Sequence, residues 1–225
     1  MSLLPAIAAV VGKELLVEWR HRARFSALFF FAFAVLLMVA FAMPNTQLLH
    51  DIAGGALWIG LLLASTRSLD QSMYTETENN SLEGLTLWPV PAAAIFYGKA
   101  LANTIVLIAV ATTITPLCIV LYDPPLRGTL PEYVAVLLLG CAGLAAPGTF
   151  VSTLTVRARG SSALMPLLLF PLVVPVVMAA SKATTLLFEG DPMEQVDDLM
   201  AILIVFNLVH WSLEGAFYAL IIDEG

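Results

Sequence analysis

Hydrophobic residues in this chain fall in runs of about twenty, the length that carries an α-helix across a bilayer, and short polar breaks separate them. The first run, Phe25–Met43, is long enough for one span and ends at Pro44-Asn45. The second, about Ile52–Thr66, is shorter and rich in glycine (Gly54, Gly55, Gly60), which suits close helix contact. A third covers about Ala100–Tyr122 and a fourth about Tyr133–Val156, with Pro147-Gly148 in its middle as a kink and Gly140, Gly143 and Ala146 at three-residue steps as a packing face. The fifth begins near Ser162 and continues to Phe188 through Pro166, Pro171 and Pro175. It exceeds one straight span, so a bent or broken element, part of it re-entrant, is expected. The sixth is about Leu199–Ile222. Six spans make an all-α membrane protein with a single domain over residues 1–225.

Two stretches outside the spans carry patterns of their own. In Met1–Arg24, the residues Leu4, Ile7, Ala8, Val11, Leu15 and Trp19 recur at helical spacing, and Lys13, Glu14, Glu18, Arg20 and Arg22 fill the remainder. The stretch is too charged to cross a bilayer, and its positive charge follows the apolar residues where a signal peptide would place it ahead. It reads as an interfacial helix. The longest polar interruption is Ser68–Lys99, with Asp70, Glu76, Glu78 and Glu83 followed by Leu82, Leu85, Leu87 and Trp88. Leu82 and Leu85 suggest a short amphipathic helix on the membrane surface, stopped by Pro89 and Pro91.

Composition agrees with the pattern. Hydrophobic residues make up 60% of the 225-residue chain, charged residues only 12%, and mean hydropathy is +0.90. A soluble domain holds about a quarter of its residues as Asp, Glu, Lys or Arg. The charge distribution sets an orientation: Lys13, Arg20, Arg22, Arg24, Arg67, Lys99, Arg157 and Arg159 fall on one side of a six-span chain, and only Arg127 and Lys182 on the other. Both termini and the 68–99 loop are therefore expected in the cytoplasm, and the acidic loop 189–198 (Glu189, Asp191, Glu194, Asp197, Asp198) outside, as a solvated loop.

Candidate chemistry is sparse. The chain has no HExxH or GxSxG, and Gly12-Lys13 and Gly98-Lys99 lack the rest of a phosphate-cradling loop. Cys118 and Cys141 sit in apolar runs without metal spacing and read as buried small hydrophobes. His50 falls in the first outer loop and His210 in the sixth run. Either could ligate a heme iron, and packing is the plainer role for both. Glu214, one turn after His210, is placed to pair with it, and a carboxylate inside a span usually serves something. The architecture leaves open an exporter permease for a drug, lipid or polysaccharide, and a membrane scaffold that transports nothing. Four residues, Leu82, Glu83, Leu85 and Trp88, form the candidate contact for a cytoplasmic partner, three apolar side chains for a groove and Glu83 for a basic rim. The alternative use of the apolar three is to anchor the loop in the interface.

Specific runs carry a resemblance: Lys13-Glu14-Leu15-Leu16-Val17-Glu18-Trp19-Arg20, Leu69-Asp70, Ser81-Leu82-Glu83-Gly84-Leu85, Pro89-Val90-Pro91, Gly98-Lys99-Ala100, and the proline-punctuated Met165-Pro166-Leu167-Leu168-Leu169-Phe170-Pro171-Leu172-Val173-Val174-Pro175. Together they make the chain similar to ABC-2-type transporter permeases and, among these, to the CcmB family of heme exporter protein B in cytochrome c maturation. The runs extend from about residue 13 to 182. Where that family has an acidic residue followed by Gly-Thr-Leu-Glu, this chain has Asn79-Asn80-Ser81-Leu82-Glu83. The resemblance implies a bacterial inner-membrane permease without enzymatic activity of its own. It also implies a second copy of the chain, an ATPase subunit (CcmA-like) that supplies ATP hydrolysis, CcmC-like and CcmD-like membrane subunits, and release of a heme-loaded CcmE-like chaperone. No resident cofactor and no nucleic acid are implied. Heme enters as a handled ligand, and the scattered tryptophans Trp19, Trp58, Trp88 and Trp211 favour mechanical coupling over heme binding by this subunit.

Overall fold

The computed structural model describes residues 3–20, 22–78, 91–157, 164–191 and 193–223. They form eight α-helices and no strand: α1 Leu3–Arg20, α2 Arg22–Ala42, α3 Thr46–Asp51, α4 Ala53–Glu78, α5 Ala92–Tyr122, α6 Leu130–Arg157, α7 Leu164–Glu189 and α8 Gln195–Asp223. Five of these (α2, α5, α6, α7 and α8) are long and apolar enough to cross a membrane, and the apolar start of α4, Ala53–Thr66, is a shorter sixth. At 1.5 Å per residue that start rises about 21 Å, less than a full hydrocarbon core.

The bundle is organised around α6. It contacts α4, α5, α7 and α8, which also touch one another in that order around it (α4 with α5, α5 with α8, α8 with α7, α7 with α4). Burial follows: 67% of the apolar window of α6 is covered, against 22% for α8 and 17% for α2, which lies outside on α4 and α5. The glycine and alanine steps of α6 make this central place available. A Cβ on Gly140 would sit 2.1 Å from the Trp58 ring of α4, and one on Gly143 2.6 Å from Val176 of α7. Gly54 of α4 lies equally tight on Ser181 and Thr185 of α7, whereas Gly55 leaves ordinary contact distance to Ser181.

Polar groups inside the bundle are used as ties. Trp58 Nε1 donates to Thr184 Oγ1 (2.9 Å), Tyr122 OH to the Leu36 carbonyl (2.8 Å), and Asn207 Nδ2 to the Leu139 carbonyl (2.9 Å). Thr104, Thr115, Thr149 and Thr153 donate to carbonyls one turn back, which satisfies hydroxyls that lipid cannot. Cys118 and Cys141 are free thiols, both buried.

Helix ends facing away from α1 are capped by local sequence. Asn45 accepts from Leu48 N ahead of α3, Thr129 and Glu132 exchange bonds ahead of α6, and Asp191 Oδ2 accepts from Val196 N (2.7 Å) in the first turn of α8. That bond to a backbone N–H holds the Asp191 carboxyl below its usual range. The amides of Arg127 and Gly128 close the last carbonyls of α7.

Two expectations from sequence change, for the fifth run and for the 68–99 segment. The fifth run is one continuous helix, α7, through Pro171 and Pro175, with no break and no re-entrant part; the proline-lined turns are held by burial of Leu169, Val173 and Val176 on neighbouring helices. The fourth run likewise stays helical through Pro147. The 68–99 segment is helical at both ends, since α4 runs on to Glu78 and α5 already begins at Ala92, where Ala92-Ala93-Ala94 favours helix directly after Pro91. On α1, Leu4 and Trp19 of the periodic face are 77% and 72% exposed, Leu15 packs against the core, and Ala6 and Val10 are covered by α5. Small residues allow the close approach to protein.

Candidate coupling site at the α1 end of the bundle

Where α1 crosses the start of α5, Gly98 sets the distance: a Cβ there would lie 2.5 Å from Val10. The next residue, Lys99, is 1% exposed, and its Nζ lies 3.0 Å from Glu14 Oε1 of α1. Lys13 reaches the same carboxylate at 3.4 Å from an exposed position. One turn further along α1, Glu18 Oε2 is 3.0 Å from Arg24 Nη1 at the start of α2. Arg24 Nη2 donates to Asn103 Oδ1 (3.3 Å), Asn103 Nδ2 to Thr149 Oγ1 of α6 (3.0 Å), and Thr149 to the Ala145 carbonyl (2.7 Å). Glu14 and Glu18 are one turn apart on α1, as Lys99 and Asn103 are on α5, so two polar ladders face each other.

The result is a continuous polar path from the surface helix through α2 and α5 to the central helix. Charges removed from water are held only while their partners stay in place, so shifting any one of the four helices breaks costly pairs. α4 joins at the same level, because Leu69 presses on Gly148 of α6, where a Cβ would come within 2.3 Å. Sequence reasoning assigned Lys99 to the surface end of a loop, used Glu14 only for the polar face of the first helix and its run and Arg24 only for the sidedness of charge, and gave Asn103 and Thr149 no role. The available signal was Asn103, alone and polar inside an apolar run, four residues after a lysine.

Of the residues singled out from sequence, Leu82, Glu83, Leu85 and Trp88 lie outside the described residues. Gly54, Gly55, Gly140 and Gly143 are placed as above. His210 and Glu214 of α8 are together: Nδ1 and Oε1 are 2.8 Å apart, Glu214 is 5% exposed, and Phe206 stacks on the imidazole with ring centroids 4.0 Å apart. Below the pair, Trp211 donates to the Ala142 carbonyl and stacks on Tyr97 of α5.

A central helix ringed by four others, with five helices long and apolar enough to cross a membrane, describes a multi-pass membrane protein. The sequence model described as "CcmB protein" matches residues 5–219, and the chain belongs to that family. The match passes well beyond the 13–182 range of the sequence runs and includes most of α8. The chain is similar to the Heme exporter protein B of Rhodobacter capsulatus, 35% identical over 171 residues (76% of this chain, 78% of that one). It is also similar to those of Pseudomonas aeruginosa, 31% over 184 residues (81% and 82%), and Paracoccus denitrificans, 32% over 199 residues (86% and 89%).

Proposed function

We propose that this chain is the membrane permease subunit of an ABC-type heme-export complex serving cytochrome c maturation. It sits in the bacterial inner membrane with both termini in the cytoplasm, and a separate ATPase subunit supplies the energy. The observation that carries the reading is the family match over residues 5–219, among relatives named as heme exporters. The clasp between α1 and α5 supports a transmitting role. The 79–90 stretch with Leu82, Glu83, Leu85 and Trp88 receives the ATPase. Its motion enters the bundle on one side through α4 and Leu69, and on the other through the Gly98-Lys99 start of α5 and α1. The stroke then serves release of a heme-loaded chaperone by the assembled complex, which includes CcmC-like and CcmD-like subunits and a second copy of this chain.

Affinity purification in mild detergent, with mass spectrometry of co-purifying proteins, tests this. The expected result is an ATPase together with heme-handling and chaperone subunits, and loss of the ATPase in Glu83→Lys with membrane insertion intact. An ATPase alone would make the chain an exporter permease for another substrate. A folded preparation without any ATPase would leave a scaffold.

A further inference from the structure

Two carboxylates and two cations cancel in the sequence of α1, and the fold separates them. Glu14 and Glu18 stand on the covered face with Ala6 and Val10, their side chains only 14% and 12% exposed. They are taken up by Lys99 of α5 and Arg24 of α2. Lys13 and Arg20 stay on the exposed surface, and α1 has no other acidic residue. Lys13 also reaches Glu14, so that one carboxylate serves two ammonium groups and the outer surface keeps an excess of positive charge. The two cations are seven positions apart, which in a helix places them within about 20° of one line and about 10 Å apart along the axis. Round the axis on one side of that line runs an apolar band of Leu16, Trp19 and Leu4, which are 52%, 72% and 77% exposed.

We propose that this surface of α1 is a seat for anionic phospholipid. Leu4, Leu16 and Trp19 lie at the boundary of acyl chains and headgroups, and Lys13 and Arg20 hold the phosphates of anionic headgroups. Two observations name the occupant. The first is continuity with the lipid-facing surface of a span: one residue separates the end of α1 at Arg20 from the start of α2 at Arg22. α2 turns Phe30, Met38 and Phe41 outward, so the last turn of α1 is held where that span enters the bilayer. The second is charge complementarity. An apolar band edged by cations, with both carboxylates turned inward, matches a surface that is apolar beneath and negative above. Tryptophan is at home at that level, and Lys and Arg reach headgroups from it along their aliphatic stems. α1 is then held from two sides, by headgroups outside and by Lys99 and Arg24 inside. Withdrawal of anionic lipid loosens the helix from outside while its ion pairs stay intact.

The test is quenching of Trp19 fluorescence by brominated lipid in the purified full-length chain. The protein is reconstituted in phosphatidylcholine vesicles that carry a fixed fraction of brominated phosphatidylglycerol or, in parallel, of brominated phosphatidylcholine. Trp19→Phe supplies the signal of the other three tryptophans, which is subtracted, and circular dichroism and melting check that each variant is folded. At equal fractions, brominated phosphatidylglycerol is expected to quench Trp19 as though it were at least about fivefold more concentrated there, with the preference shrinking as salt is raised. The double variant Lys13→Gln with Arg20→Gln should bring the ratio to about one and leave quenching by phosphatidylcholine unchanged. Lys13→Arg with Arg20→Lys should keep the preference. Equal quenching of wild type by the two lipids would overturn the proposal. So would a preference that survives the double glutamine variant, since its source then lies on other residues. Trp19 quenched by neither lipid would also sink it, because that surface is then covered by protein.

Discussion

Lys99 shows how strongly one buried charge can constrain this bundle. Its ammonium is nearly sealed from water and meets Glu14 at 3.0 Å, so removing either partner takes a close opposite charge from the other. Lys99→Met and Glu14→Gln are each expected to destabilise the protein by about 3–5 kcal/mol, and the double variant to recover most of the loss, because a buried pair replaced as a unit costs little. Thermal melts of the four proteins in detergent measure the coupling; simple addition of the two losses would mean that the pair does not hold α1 down. His210 and Glu214 make the other intramembrane pair, and there the pairing leaves one nitrogen over.

At the scale of elements, α6 depends on small residues more than on its apolar ones. Trp58 cannot swing away from Gly140, since its ring is buried and its Nε1 is bonded to Thr184. Gly140→Leu should therefore cost about 1–3 kcal/mol or more by overpacking and lower the yield of assembled complex, read by melting and size-exclusion chromatography. A melt and assembly equal to wild type would show that α4 and α6 can part without penalty. At its start α8 depends on Asp191. A carboxyl with a lowered folded pKa contributes stability that is complete above its unfolded value, about pH 4, and is lost as pH falls through the folded value. Wild type should accordingly lose stability on acidification through this range more steeply than Asp191→Asn. Melting temperature against pH for both proteins checks the difference, and identical profiles would remove the cap from the account.

For the whole molecule, six apolar segments and the segregation of Lys and Arg predict one arrangement in the membrane. A phosphatase reporter fused at Leu126, between α5 and α6, should be active, and one fused after Gly225 inactive, with a fluorescent protein giving the reverse. Reversed signals, inactive at Leu126 and active after Gly225, would show that α4, with its short apolar stretch, does not cross. Because α6 touches every member of the ring, the coupling proposed above has a direct route from α1 and α5 to the α3 end.

The hydrophobic pattern by itself determined the class and the number and order of apolar segments, because lipid demands long apolar helices whatever their neighbours are. Short-range signals also named Pro91, the glycine steps and the His210–Glu214 spacing. Tertiary structure decided what periodicity could not: which residues of α1 meet protein, and that Pro171 and Pro175 stay inside an unbroken helix. It also decided that Lys99 turns inward. A lysine at a span end looks the same in sequence whether water or a carboxylate awaits it, and only the packing of α1 over Gly98 brings Glu14 within 3.0 Å.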